Sequence, residues 1–386
     1  MTSPLRILLV GDYPADPRLG SAKVYYKLHE ELEALGHTCD VMLQPGLGAW
    51  PPWGKLRWAL GPVVAARAIA RRERERGPYD VIDVASAEGS IIGLRNALAP
   101  DRPTAIVSRS HGLEHLNYRR LLEDAEAGFI RKGWLRRWWH PAARLSQVAM
   151  AARLADRLIV LNAGDREFAL AHGWKAPGEI DIIAHGVSAR FIEEAPASDA
   201  PRGAGILFCG TWDDIKGVRY LAAAFTQLRR ERPSSRLTVF GANVPDAAVF
   251  SHFPPDVREA VTVVGRAGEA EVMAAYRRHD MLVMPSSYEG FGMVLVEAMS
   301  QRMPVIATPQ GSAIALVRDG ETGLLVPRRS ASALMEAMRR LLDDSALRTR
   351  LGNAAFRAAR TFTWARTAEQ TVTCYRAAIA SRRRGA

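Results

Sequence analysis

Short apolar runs of strand length alternate with longer amphipathic stretches along this chain, and the series starts twice. The runs Arg6–Val10, Thr38–Leu43, Asp80–Val84, Thr104–Ser108, Arg157–Leu161 and Ile180–Ile183 predict six strands with helices between them. Such alternation is the pattern of parallel βα units. The helix expected over Ala22–Leu35 follows Gly20-Ser21, with Ser21 as its N-cap and Gly36 as its stop. After Phe191 comes Glu-Glu-Ala-Pro-Ala-Ser-Asp-Ala-Pro-Arg-Gly-Ala-Gly, which has no apolar period and reads as a linker. Gly205–Cys209 followed by Gly210 then repeats the opening Arg6–Val10 followed by Gly11. Further strands are expected at Arg236–Phe240, Val261–Val264, Met281–Met284, Pro304–Ala307 and Gly323–Val326. The fold class is α/β, with two doubly wound domains over residues 1–192 and 206–362 and a linker over 193–205. The tail, residues 363–386, predicts a last helix that packs back on the first domain.

At 386 residues, with 48% hydrophobic and 24% charged, the chain can build two cores, and disordered or collagen-like classes are excluded. The formal net charge of +11 favours anionic partners without naming one. Only six of the 52 cationic residues are lysines, so arginine is the background cation and a lysine at a special position stands out. Three cysteines, Cys39, Cys209 and Cys374, lie far apart with no C-x-x-C spacing, so neither a disulfide framework nor a zinc knuckle is expected. The N-terminus runs into a five-residue strand, short of a signal peptide's apolar region, and Trp58–Ala70 is interrupted by Arg67. The expectation is a cytoplasmic chain without a bilayer span. No nucleic-acid reader pattern is present.

Open parallel sheets bind ligands outside the carboxyl ends of their strands, so two facing sheets would place a cleft lined by the loops there. The densest set of candidates follows Met281–Met284: Pro285-Ser-Ser-Tyr-Glu289-Gly-Phe-Gly-Met-Val-Leu-Val-Glu297. Gly290 and Gly292 allow close backbone approach, and Met293–Met299 reads as a buried helix whose first N–H groups suit a phosphate. Glu289 and Glu297, eight residues apart, are expected about two helical turns apart on similar faces, each meeting hydroxyls of one ligand. The plain alternative is a strand, turn and helix carrying two ordinary charges.

A second loop, Gly210-Thr-Trp-Asp-Asp-Ile-Lys216-Gly217, carries one of the few lysines at a strand's carboxyl end, where an ammonium suits a diphosphate leaving group. A solvated lysine is the alternative. A third, Ser108-Arg-Ser-His111-Gly-Leu-Glu114-His115, spells the H-x-x-E-H zinc motif. Gly112 and the strand before His111 argue against the single helix that motif needs, so no metal is expected. His111 reads as a substrate contact and His115 as surface or packing.

These elements, in this order, resemble glycosyltransferase family 4, a large GT-B group of retaining enzymes that use nucleotide-sugar donors. The likeness covers nearly the whole chain. It includes the Gly20-Ser21 loop, the His111-Gly112 strand end, Ile183-Ala-His-Gly186-Val, the Lys216-Gly217 loop and the Glu289-to-Glu297 motif. Pro304-Val-Ile-Ala-Thr, Gly320-Glu-Thr-Gly-Leu-Leu-Val and Phe362-Thr-Trp364 extend it. The resemblance implies a GT-B fold of two Rossmann-like domains, and a UDP- or GDP-sugar as co-substrate with no other cofactor. It places Glu289 beside the donor sugar, with the backbone of Gly290, Phe291, Gly292, Met293 and Val294 on its hydroxyls or phosphate and Glu297 on the ribose. Lys216 would stabilise the departing diphosphate. His111 would touch the donor sugar, and Gly20 and Ser21 would donate backbone N–H groups. Retention by same-face attack, without a metal, amounts to electrostatic stabilisation plus positioning.

Two positions depart from the family pattern. Thr211 stands where the family often has an arginine, leaving Lys216 alone on the diphosphate, with Arg219 and Arg266 as candidate replacements. Ser21 replaces the second residue of a common Gly-Gly. The acceptor is expected to be a glycan or lipid-linked hydroxyl, as in bacterial surface polysaccharide or glycoconjugate assembly. Trp50–Arg76 carries seven Lys/Arg against two Glu, with Trp50, Trp53 and Trp58. Leu116–Leu145 carries seven against three acids, with Trp134, Trp138 and Trp139. Both suit an anionic membrane surface at the inner face of the cytoplasmic membrane. The alternative is a solvated helix face with its tryptophans in the core. Rival functions are a GT-B nucleotide-sugar epimerase and a catalytically weak sugar-nucleotide-binding protein. Sequence leaves the oligomeric state open.

Overall fold

The computed structural model describes residues 3–17, 19–48, 54–129 and 139–385. The chain forms two compact units, one of Met1–Ala184 with Trp364–Ala386, the other of His185–Thr363.

Unit 1 holds β1 (Arg6–Val10), β2 (Thr38–Met42), β3 (Val81–Ala85), β4 (Ala105–Arg109), β5 (Arg157–Val160) and β6 (Ile180–Ile182). Their order is β2-β1-β3-β4-β5-β6, and every neighbouring pair is parallel. The first strand lies inside the sheet and the chain winds outward from it on both sides, so both faces must be covered by helices. Ile7, Leu9, Val81 and Val107 pack on one face with Tyr25 and Leu28 of the helix Gly20–Ala34. Leu8, Val10, Ile82 and Ile106 pack on the other with Ala65, Ala68 and Ile69 of the helix Gly54–Arg76. The helix after β1 begins two residues earlier than expected. Its cap position is Leu19, with no side-chain cap, so Ser21 is a first-turn residue and not the N-cap.

The last helix, Trp364–Gly385, belongs to unit 1, where Ala368, Val372, Tyr375 and Ala378 join the face that carries Tyr25. It is tied there by a buried polar network. Asp83 of β3 receives Arg109 Nε at 2.9 Å and Nη2 at 2.6 Å, and the Tyr375 hydroxyl at 2.6 Å. Arg109 also donates to Thr371 Oγ1 at 3.3 Å. Arg109 pairs with Ala85 in the β3–β4 register, which puts it on the same face as Asp83 two residues back.

Unit 2 holds β7 (Ile206–Cys209), β8 (Leu237–Phe240), β9 (Val261–Val264), β10 (Met281–Met284), β11 (Val305–Ala307) and β12 (Leu324–Leu325), in the parallel order β12-β11-β10-β7-β8-β9. Its core gathers Phe208, Leu221, Phe225, Leu228, Val239 and Met338. Residues 185–192, expected in the first domain, cluster with unit 2. Phe191 is fully buried beside Tyr276, the Gln301 amide donates to its carbonyl, and Val187 N donates to Phe362 O at 3.0 Å. The expected linker over 193–205 is pinned to the same unit, with Arg202 donating to Gln301 O at 2.6 Å and Arg302 to Pro196 O at 2.9 Å.

No helix among the described residues is long and apolar enough to cross a membrane. Trp58 and Trp139 are exposed, as is Phe129, so these side chains are not core. Trp50, Trp53, Trp134 and Trp138 lie outside the described residues.

Candidate functional site

Unit 2 brings Lys216 and Glu289 together from loops 73 residues apart. Lys216 Nζ lies 2.7 Å from Glu289 Oε2, and Ser286 Oγ donates to the same oxygen at 3.3 Å. The chain reaches this geometry through backbone approaches that forbid side chains. Lys216 ends a one-turn helix, Asp214–Lys216, whose cap Asp213 accepts from Lys216 N at 3.1 Å. At Gly217 (φ +71°) a Cβ would fall 2.0 Å from Pro285 O. Ser287 N donates to Ile215 O at 2.8 Å, which fastens the two loops. At Gly311 (φ +53°) a Cβ would fall 1.6 Å from Glu289 O. The neighbouring Ser312 hydroxyl donates to Gly290 O at 2.7 Å. The Glu289 loop is thus clamped from β7's side and β11's side, and its carboxylate is aimed by covalent geometry as much as by packing.

Burial pulls the Lys216 ammonium toward its neutral form, but the charge of Glu289 and its hydrogen bond outweigh that, and the pKa rises. Lys216 is a fixed cation at neutral pH.

The helix after the loop is Met293–Ser300, entered through Gly292 in the left-handed region. Met293 and Val294 occupy its first turn, where backbone N–H groups have no helical acceptor. Gly290 and Phe291 are buried, and the Phe291 ring packs edge-on against His185 at 5.3 Å. Glu289 precedes the helix, so the expected pair of carboxylates two helical turns apart is not what forms. Glu297 alone is helical, 7% exposed, and held by the Tyr276 hydroxyl at 3.2 Å. That same hydroxyl lies 3.6 Å from Cys209 Sγ at the end of β7. Tyr276 was invisible to motif reasoning, since a tyrosine in an amphipathic helix carries no signal of its own.

Thr211 donates to Asp213 at 3.1 Å. Of the candidate replacement charges, Arg219 is engaged by Asp214 at 2.8 Å. Arg266 is exposed beyond β9, the edge strand two places from β7, and is not brought to the Lys216–Glu289 pair by any contact among the described residues.

In unit 1, Gly20 and Ser21 open the helix after β1, and His111 follows β4. His111 Nε2 lies 3.0 Å from the Tyr25 hydroxyl, and Tyr13 packs edge-on against the imidazole at 5.4 Å. The helix of the H-x-x-E-H spelling begins at Glu114, so His111 lies outside it and the zinc geometry is not formed. His115 instead packs against Trp174 at 4.8 Å.

Burial, with the nearby Arg109 charge, pushes the His111 pKa from 6.5 down to about 3. The unfolded chain therefore binds a proton that the folded chain refuses between these values, so stability rises with pH across the window. The contribution is complete above about pH 6.5 and is lost toward pH 3 at about 1.4 kcal/mol per pH unit. Urea midpoints measured from pH 7 to pH 5 are expected to fall more steeply for the wild-type chain than for His111→Gln. Equal slopes would show that His111 is not held neutral.

The profile of glycosyl transferases group 1 matches residues 203–344, the segment that carries Lys216, Glu289 and Glu297. Over 268 residues the chain is 31% identical to the D-inositol 3-phosphate glycosyltransferase of Kineococcus radiotolerans, covering 63% of this chain and 62% of the relative. The chain thus spans about three fifths of that relative's length. With the protein of the same name from Pseudarthrobacter chlorophenolicus, identity is 30% over 80% of this chain and 73% of the relative. Among solved structures, sucrose-phosphate synthase from Thermosynechococcus elongatus superposes with a TM-score of 0.78 at 24% identity, over 96% of this chain and 98% of that one. The Anabaena protein HepE in complex with UDP-glucose superposes with a TM-score of 0.68 at 16% identity, over 96% and 98%. At these identities the structures speak for the fold alone, two parallel six-stranded Rossmann-like sheets of the GT-B class. With the motif-bearing segment matched by the family profile and a 30% identical relative covered over most of its length, the chain belongs to the glycosyl transferases group 1 family.

Proposed function

We propose that the chain is a retaining, metal-independent glycosyltransferase that moves a hexose-type sugar from a UDP- or GDP-sugar to a hydroxyl of a glycan or lipid-linked acceptor. The observation that carries the reading is the Lys216–Glu289 pair, clamped by Gly217 and Gly311 directly before the helix Met293–Ser300. A fixed cation, and a helix start with orphan N–H groups, each suit a diphosphate, whose negative charge grows as the sugar leaves. Glu289 is assigned to the sugar, Glu297 to the ribose hydroxyls and neutral His111 to a sugar contact. The UDP-glucose carried by HepE supports a nucleotide-sugar donor. The relatives' name supports transfer to a small hydroxylated acceptor.

A melting-temperature panel of UDP, GDP and ADP with their sugar conjugates tests this reading, because a ligand bound only by the folded chain raises the midpoint. A rise with one base names the donor class. No rise with any of them overturns the reading. The proposal extends to bacterial surface glycoconjugate assembly at the inner face of the membrane, supported by exposed Trp58 and Trp139 beside arginine-rich sequence. Failure of anionic vesicles to retain the chain at low salt would remove that extension.

A further inference from the structure

Resting on the function proposed above, which assigns Glu297 to the ribose hydroxyls, we infer that Tyr276 is a positioning residue: by holding the plane of the Glu297 carboxylate it makes the site prefer a nucleotide that carries both ribose hydroxyls over one that lacks them.

Three elements of unit 2 converge on one hydroxyl. Tyr276 lies in the last turn of the helix Glu269–Arg278, Glu297 in the second turn of Met293–Ser300, and Cys209 ends β7. Tyr276 is fully buried, and a buried tyrosine hydroxyl needs a partner. Two stand in reach, Glu297 Oε2 at 3.2 Å and Cys209 Sγ at 3.6 Å. A thiol sulfur is a weak acceptor and a carboxylate oxygen a strong one, so the proton goes to Glu297. Burial, with Cys209 and Glu297 alongside, holds the hydroxyl well above the ordinary tyrosine range, so it is a donor at neutral pH. The ring is locked by the segment that joins the two units. Phe191 packs on it with centroids 6.3 Å apart, and the Arg202 guanidinium donates to the Tyr276 carbonyl. Phenylalanine would fill the same space, so the hydroxyl is what a packing role alone does not use.

The last torsion of a glutamate is broad and roughly two-fold, so the helix that carries Glu297 does not by itself set the plane of the carboxylate. A hydrogen bond on one oxygen does. A ribose offers two neighbouring hydroxyls at a fixed separation, and one carboxylate accepts from both only when its plane is turned to them. Glu297 is 7% exposed, so a ligand meets the carboxylate in the orientation that the protein gives it. A polar group held in this way discriminates against a ligand without the hydroxyls, because it is then left buried and unpaired.

The experiment titrates the full chain calorimetrically with the nucleoside diphosphate named by the melting panel and with its 2′,3′-dideoxy counterpart. The wild-type chain is expected to bind the ribose form more tightly by about 10-fold or more. In Tyr276→Phe the ribose form is expected to lose about 10-fold in affinity while the Kd of the dideoxy form stays unchanged. A general loosening of the core would weaken both forms alike. Glu297→Ala is expected to abolish the preference. Phe191→Leu keeps the hydroxyl and loosens the ring that aims it, so a smaller loss confined to the ribose form is expected, and this variant stands if Tyr276→Phe fails to fold. A wild-type ratio of the two Kd values in Tyr276→Phe or, where that variant does not fold, in Phe191→Leu overturns the inference, as does equal weakening of both forms. A preference that survives Glu297→Ala overturns the ribose assignment and the inference with it. A chain that binds neither form fails the proposed function, which the melting panel reads separately, and the inference falls with it.

Discussion

Lys216→Ala is expected to lower turnover by roughly 100- to 1,000-fold while the chain still folds in normal yield, the scale on which a single electrostatic stabiliser of a leaving group acts. Lys216 is the cation that the clamp holds against Glu289, four residues ahead of the helix Met293–Ser300. The arginine the family often carries at position 211 is a threonine that donates to Asp213, and Arg219 is engaged by Asp214, so neither relieves Lys216 of the task. Glu289→Gln makes the complementary case. Removing that carboxylate frees the ammonium, so nucleotide diphosphate alone should bind several-fold more tightly, since the negative charge that pairs with Lys216 is gone. Turnover should nevertheless fall, because the carboxylate assigned to the sugar is gone. A kcat that drops as nucleotide affinity rises is a signature that simple misfolding does not produce. Near wild-type turnover in both variants would remove the site assignment.

Lys216 stood out in the sequence because lysine is rare here, six among 52 cationic residues, and because it follows a strand. What it touches was not legible. The contact with Glu289 depends on Gly217 and Gly311, and nothing in the local sequence around Gly311 says that a carbonyl from 22 residues earlier in the chain lies where its Cβ would be. Strand positions were recovered to within a residue or two at their ends, as with Arg157–Val160 against an expected Arg157–Leu161, because buried parallel strands are written as nearly unbroken apolar runs. The cap of the first helix was misread because Ser at a helix start is a strong local signal, whereas here the turn before it sets the entry with Leu19. The carboxylate pair was misread for a related reason. Counting eight residues as two turns assumes one continuous helix, but Gly292 breaks the path before Met293. The boundary at residue 192 failed because composition marks where the chain loses its pattern, not where it changes core. Phe191 is an ordinary apolar residue until Tyr276 and Gln301 are seen to receive it.

The largest stability effect is expected at Asp83, which no motif singled out. Asp83→Ala would strand Arg109, 1% exposed, as an uncompensated buried charge, and would leave the Tyr375 hydroxyl without its acceptor. Breaking such a pair from one side costs about 3–5 kcal/mol. The loss should concentrate in unit 1 and loosen Trp364–Gly385 first, because Asp83 and Arg109 are the polar anchors for Tyr375 and Thr371 on that helix. Hydrogen exchange should therefore accelerate across residues 364–385 in Asp83→Ala before it does so in β7 and β10, whose core in unit 2 is separate. The double variant Asp83→Leu/Arg109→Met should recover most of the lost stability, since a buried pair replaced by apolar groups of similar volume is often neutral. A cost below about 1 kcal/mol in the single variant, or exchange that rises evenly over both units, would show that Arg109 finds water or another partner and that the Asp83 network does not hold the last helix.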